Sequence, residues 1–175
     1  MIDTVDTPTT RHTVASTTLG DLTLVLDGDA LTGIYFPGHW TRPERAEAGR
    51  QTDLADDPLA TEVRDQLVAY LAGERTTFDL PLRLDGPALH QAVWTRLQQI
   101  PYGETTTYGA LAEELGAAPQ AVGQAVGANP VSVVVPCHRV LGADGSLTGY
   151  AGGLERKRAL LTLEEPAATD RGALF

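Results

Sequence analysis

One cysteine occurs in the chain, in Val133-Val134-Val135-Pro136-Cys137-His138-Arg139-Val140. It follows an apolar run and a proline and precedes a histidine. A single cysteine forms no intramolecular disulfide and is too few for a cysteine-rich metal site. As a thiolate it would be a nucleophile, and a nearby imidazole helps to generate that form. The bland alternative stays open from these neighbours alone, because free cysteine is among the most buried residue types and commonly serves as a small hydrophobe. His12, His39, His90 and His138 are scattered without ligand spacing, so neither metal nor cofactor is expected.

A nucleophile there must be held by the segments around it. Val131 to Val135 is short, β-branched and apolar except for Ser132, the pattern of a buried stretch. Pro136 lacks an N–H and biases Val135 toward an extended conformation, so Cys137 stands where a buried segment gives way to a turn. Upstream, Leu89, Val93, Leu97 and Ile100 line one helix face that Pro101 stops, and Pro101-Tyr102-Gly103 is a turn. Thr107 caps a helix from Tyr108 to Leu115 with Ala110, Leu111 and Leu115 inward. Gly116 breaks it, and Pro119 starts another running to about Gly127. Two short helices across a glycine-containing turn make a helix-turn-helix pattern, which in most proteins is only a packing unit. Asn129-Pro130 turns the chain. Downstream, Ala143 to Ser146 is a turn, Tyr150-Ala151-Gly152-Gly153 is a compact loop whose glycines let backbone approach a ligand, and Leu154 to Leu163 is a helix.

The N-terminal half alternates like strands. Thr13–Thr17, Leu22–Leu26 and Leu31–Phe36 are expected strands, the last two joined through an Asp-Gly hairpin. Residues 37 to 56 read as a loop. Asp57-Pro58 opens a helix whose Leu59, Val63, Leu67 and Leu71 form an apolar stripe, ended by Gly73. Thr77–Leu84 is an expected fourth strand. The fold class is α/β of the α+β kind, with domains at 1–85 and 86–175.

With 175 residues, 42% hydrophobic and 21% charged, the composition is that of a globular chain. No apolar run is long enough to span a bilayer, and Met1 to Thr10 has neither the basic start nor the apolar core of a secretory signal. With a free thiol, this favours the cytoplasm. The formal net charge of −10 speaks against nucleic acid unless a local basic patch exists. Lys157 is the single lysine; the other basic residues are arginines.

Taken in order, Ile100-Pro101-Tyr102-Gly103-Glu104-Thr105, Tyr108-Gly109, Asn129-Pro130, Pro136-Cys137-His138-Arg139-Val140 and Tyr150-Ala151-Gly152-Gly153-Leu154 resemble the O6-alkylguanine-DNA alkyltransferases. The match runs from about Leu89 to Glu164; before Asp85 it is architectural. The resemblance implies an N-terminal RNase H-like sheet with a helix, and a C-terminal helical domain with a winged helix-turn-helix. It implies a monomeric, cofactor-free DNA repair protein that enters the minor groove of alkylated double-stranded DNA. The damaged base is flipped out, and an alkyl group moves irreversibly from O6 of guanine, or O4 of thymine, to Cys137. It further implies His138 as a base acting through a water, Glu164 as its orienting carboxylate, Tyr108 as a donor to N3 of guanine and Asn129 as the holder of the turn. Val140, Tyr150, Ala151, Gly152 and Gly153 would form the base pocket, and Gln120, Ala121, Gly123, Arg139 and Lys157 the DNA contacts.

The chain departs from that family at one telling position. Where the recognition helix carries an arginine just before Ala-Val-Gly, this sequence has Gln120. No Lys or Arg lies between Arg96 and Arg139, while Glu104, Glu113 and Glu114 do. Both the wedge that replaces a flipped base and the attraction to phosphate are thereby weakened. Arg96, Arg139, Arg156, Lys157 and Arg158 are the remaining basic surface. Leu89-His90, where the family often has Phe-Gln, is a packing change. Two alternatives follow: a lesion-binding alkyltransferase-like protein, which the presence of Cys137 disfavours, and a family member acting on a non-duplex alkyl donor.

Overall fold

The computed structural model describes residues 9–39, 43 and 48–166. The beginning of the expected first domain, most of 40–47 in the expected loop and the residues after 166 lie outside the described residues.

Strands β1 (Thr10–Thr17), β2 (Gly20–Asp27) and β3 (Ala30–Tyr35) form an antiparallel meander with Thr13 opposite Leu24 and Leu24 opposite Ile34. Gly28 and Asp29 close the second hairpin, Gly28 at φ +60°, a left-handed conformation glycine adopts without steric cost. The expected loop at 37–56 contains a short strand, β4 (Arg50–Gln51), parallel to β1, and a helical turn at Leu54–Asp56. Two polar residues carry no alternation, so sequence pattern cannot reveal such a strand. The order is β3-β2-β1-β4.

Helix α1 (Pro58–Leu71) begins where Asp57 accepts the Ala60 N–H at 3.2 Å, with proline in its first turn. Its buried face is Ala60, Val63, Leu67 and Tyr70, in one core with Leu22, Leu24 and Leu26; Leu59 and Leu71 are only half-buried. The expected strand Thr77–Leu84 is reduced to one bridge, Leu82 beside Leu31. Pro81 has no N–H to give a ladder. The Gln66 amide occupies the place of a partner strand, donating to Asp79 O at 3.0 Å and accepting from Asp79 N at 2.9 Å.

The same edge of β3 holds a second bridge, Ile34 beside Val131, where Ile34 N–H donates to Pro130 O at 2.8 Å. The stretch leading to Cys137 is thus docked on the N-terminal sheet. Helix α2 (Ala88–Leu97) packs on α4 (Pro119–Gly127), and Trp94 Nε1 donates to Ala125 O at 2.8 Å. Between them α3 (Tyr108–Leu115) starts at the Thr107 cap and ends at Gly116 in the left-handed conformation, completing the helix-turn-helix. Its inward residues are Leu111 and Ala112; Ala110 and Leu115 are half-buried. Strands β5 (Thr106–Thr107) and β6 (Val140–Leu141) pair in parallel, and α5 (Leu154–Glu164) closes the domain. Among the described residues no helix is long and apolar enough to cross a membrane.

Candidate active site

Asn129 builds the turn ahead of the cysteine. Its Oδ1 accepts the Val131 N–H at 3.0 Å and its Nδ2 donates to Val135 O at 2.8 Å, so one fully buried amide closes both ends of the loop. Val133 sits inside that loop at φ +74°, the single non-glycine residue with positive φ among those described. For a β-branched residue this conformation costs on the order of 1–3 kcal/mol, sustained by the surrounding buried contacts. Cys137 follows, its N–H on Val135 O at 2.8 Å, at the start of a single helical turn, Cys137–Arg139. Burial pushes the Cys137 thiol up, while the Asn129 amide and the Lys157 charge oppose the rise. The resting group is a thiol.

His138 is completely buried. Its Nε2 lies 2.7 Å from Glu164 Oε1. Burial favours its neutral form, with Glu164 pulling the other way. Burial would also raise the Glu164 carboxyl, but hydrogen bonds from His138, Arg139 and Tyr70 bring it down to about 2. An ionised carboxylate only accepts, so Nε2 carries the imidazole proton and Nδ1, buried and without a protein partner, carries the lone pair. Arg139 locks the carboxylate from the other side, with Nε on Oε2 at 2.9 Å, Nη2 on Oε1 at 3.1 Å and Nη1 on Ile100 O at 2.6 Å.

Above the cysteine, a narrow cleft of about 10 Å³ is lined by His39, Asn129, Ser132, Tyr150 and Ala151 together with Cys137. Gly149, Tyr150 and Ala151 form one wall, at the start of the Tyr150–Gly153 loop. Gly152 is obligatory there: a Cβ would stand 2.5 Å from the Phe36 ring, which Tyr150 and the Arg156 guanidinium also cover. Gly153 has φ +89°, open to glycine alone without strain. Tyr108 leans over the same region. Its hydroxyl donates to Thr148 O at 3.4 Å, and burial followed by the proximity of Cys137 raises its pKa. Val140 is fully buried, its carbonyl accepting from Lys157 Nζ.

Two residues expected at DNA are not available to it. Arg139 is buried in the Glu164 pair. Lys157 is fully buried, its Nζ donating to Val140 O at 2.7 Å and Thr148 O at 2.8 Å. Both cations are consumed in fixing the walls of the cleft, and withdrawing either would strand buried carbonyls or a carboxylate. Arg156 caps Leu19 O and Gly152 O, and Arg96 pairs with Glu114 at 2.6 Å. Of the five basic residues named from the sequence, Arg158 alone stands exposed without a bond. Gln120 is exposed in the first turn of α4, Ala121 and Gly123 are half-buried on that helix, and its far end, Val126–Gly127, reaches the cleft.

Family models for the 6-O-methylguanine DNA methyltransferase ribonuclease-like domain and DNA binding domain match residues 10–84 and 88–166. The chain belongs to the 6-O-methylguanine DNA methyltransferase family. It is 48% identical over 160 residues to the methylated-DNA–protein-cysteine methyltransferase of Mycobacterium tuberculosis, covering 90% of this chain and 93% of that protein. The Haemophilus influenzae protein of the same name is 41% identical, with 92% and 89% covered. The crystal structure of M. tuberculosis OGT in complex with DNA superposes with TM-score 0.78 at 44% identity, covering 90% of this chain and 96% of that one. Within this methyltransferase fold, His39, Ser132 and Tyr70 are site residues that sequence reasoning passed over. Tyr70 had a usable signal: it continues the buried stripe Val63–Leu67–Tyr70, and a buried tyrosine hydroxyl needs a partner. His39 follows a strand with no pattern to mark it.

Proposed function

We propose that the protein repairs DNA by moving one alkyl group from O6 of guanine, or O4 of thymine, to Cys137 Sγ, once per molecule. The S–C bond forms as the O–C bond breaks in line. The thiol proton passes through a water to His138 Nδ1, and the imidazolium so formed is held by the Glu164 carboxylate at Nε2. The charge left on the guanine is offset by the Tyr108 hydroxyl, acting at N3. The thioether has no leaving group to regenerate the thiol. The observation that carries this reading is the buried His138–Glu164 pair, a neutral imidazole with its lone pair at Nδ1, next in the chain to Cys137, whose cleft Tyr150 and Ala151 border. Asn129 holds the sulfur-bearing turn and Val140, Ala151 and Gly152 border the base. A monomer in the cytoplasm, entering the minor groove of alkylated duplex DNA with Gln120, Ala121 and Gly123 forward, completes the proposal. Cys137→Ser tests it: lesion duplex should still bind and no alkyl group should move. Transfer surviving in that variant would end the proposal.

One observation favours a second reading. The helix pair presents Gln120 and acidic side chains, and Arg139 and Lys157 are internal, so an intact reactive centre sits behind a poorly cationic face. Transfer from single-stranded DNA or a free alkylated base would then match duplex repair in rate; a duplex rate far above both would remove this reading.

A further inference from the structure

We propose that Tyr70, on α1 of the N-terminal domain, is a positioning residue for this reaction, acting through Glu164 to hold His138 with its lone pair at Nδ1. The inference rests on Cys137 being the alkyl acceptor. Three donors converge on Glu164 Oε1: His138 Nε2, Arg139 Nη2 and the Tyr70 hydroxyl. The first two are neighbours of the cysteine. The third comes from 94 residues away in the chain, across the junction between the domains.

The direction of the Tyr70 bond is fixed by its partners. Arg139 Nη2 donates to the Tyr70 oxygen at 3.2 Å, and arginine only donates. The hydroxyl proton therefore goes to Glu164, which only accepts. Two rings set the hydroxyl's aim: Tyr102 meets Tyr70 edge-on at 5.8 Å and 83°, and Phe78 lies at 4.7 Å. Tyr70 is fully buried, and packing alone would be met by phenylalanine. A buried hydroxyl is costly unless bonded, so its presence here asks for a reason beyond volume.

The reason lies in how the carboxylate shares its charge. Each donor makes Glu164 a weaker acceptor, and a carboxylate so occupied does not draw the proton off His138 Nε2. The groups facing His138 are Glu164, Arg139 and Lys157, with Cys137 beside it in the chain. Those facing Glu164 are His138, Arg139, Tyr70 and Tyr102. Removing the Tyr70 hydroxyl leaves more of the negative charge for His138. The imidazolium is then stabilised, and less neutral base is present at a given pH.

The test measures Cys137 alkylation by free O6-benzylguanine against pH for wild type, Tyr70→Phe and Leu67→Ala, with an NMR titration of His138 in each unreacted protein. Tyr70→Phe should move the acid limb and the His138 titration upward by about half a pH unit, about a threefold rate loss at a fixed pH on that limb. Leu67→Ala, a packing change on the same helix, should lower stability and leave both midpoints where they are. In the wild type the Tyr70 hydroxyl resonance should move as His138 titrates, which needs no variant. Unchanged midpoints in Tyr70→Phe, or a hydroxyl resonance indifferent to His138, would overturn the proposal. A wild type that is never alkylated would instead refute the acceptor reading, while the titrations still decide the role of Tyr70.

Discussion

The two ends of α4 differ in kind. At its C-terminal end the helix meets a cleft whose polar groups are paired with one another: Asn129 with the loop backbone, His138 with Glu164, Lys157 with two carbonyls. At its N-terminal end it presents Gln120 to solvent, beside an α3 whose Glu113 and Glu114 are exposed. The buried end leaves its residues little choice, because each side chain satisfies another that would be stranded without it. The exposed end carries no such obligation, and it is there that Gln120 stands where the resemblance leads one to expect an arginine. Chemistry and DNA grip are therefore separable in this protein, and substitutions should divide along the same line.

The largest effect is expected at Glu164. Glu164→Gln leaves Arg139 buried against a neutral partner and gives His138, Tyr70 and Arg139 a single accepting oxygen to share, costing about 3–5 kcal/mol of stability, the range for breaking a buried ion pair. Denaturant unfolding would measure it, and alkyl transfer should fall in parallel. A near-neutral result would mean that the buried end is less interlocked than its geometry implies.

Acid should reveal the same network. His39 has its pKa lowered by burial to about 4 from 6.5, so the unfolded chain protonates first and stability is lost as pH falls through that interval. Glu164, lowered to about 2 from 4.5, contributes stability that is complete above its ordinary range and lost as pH falls toward 2. His39→Gln should flatten the first interval by on the order of 2 kcal/mol in a urea series from pH 7 to pH 4. A slope identical to wild type would take His39 out of the account.

Gly152→Ala comes next. The new methyl meets the pinned Phe36 ring, and an overpacked site of this kind costs about 1–3 kcal/mol. Transfer from free O6-benzylguanine should slow as the Tyr150–Gly153 wall shifts; an unchanged rate would show that the wall does not shape the cleft.

The smallest effects belong to the exposed end and should appear in DNA binding alone. Gln120→Arg should steepen the salt dependence of duplex binding by about one unit in log–log slope and speed duplex repair, leaving the free-base rate as it was. Lys157→Met should leave that slope unchanged while lowering stability. A slope reduced by about one in Lys157→Met would make it a phosphate contact and blur the line between the two ends.

How far these contrasts were legible in the sequence depended on whether a residue's environment is local. The helix starts at Pro58, Tyr108 and Pro119, by a cap, a first-turn proline or both, and the hairpin at Gly28 follow from short-range chemistry, and the sequence pattern finds them. So does the Pro136-Cys137-His138 turn. The Thr77–Leu84 segment differs from the expected strand because it meets β3 only around Leu82 and is held at Asp79 by the Gln66 side chain. Lys157 and Arg139 read as surface cations because nothing nearby in the chain announces the carbonyls and carboxylate that bury them. Tyr70 and His39 reach the site from the other domain, and only the fold brings them there.

The most direct test of the account is the intact mass and peptide map of the protein after incubation with excess duplex containing O6-methylguanine. The account predicts one methyl group per chain, on the peptide bearing Cys137, with no further gain at longer times. A chain of unchanged mass, or a methyl group on any other residue, would contradict it.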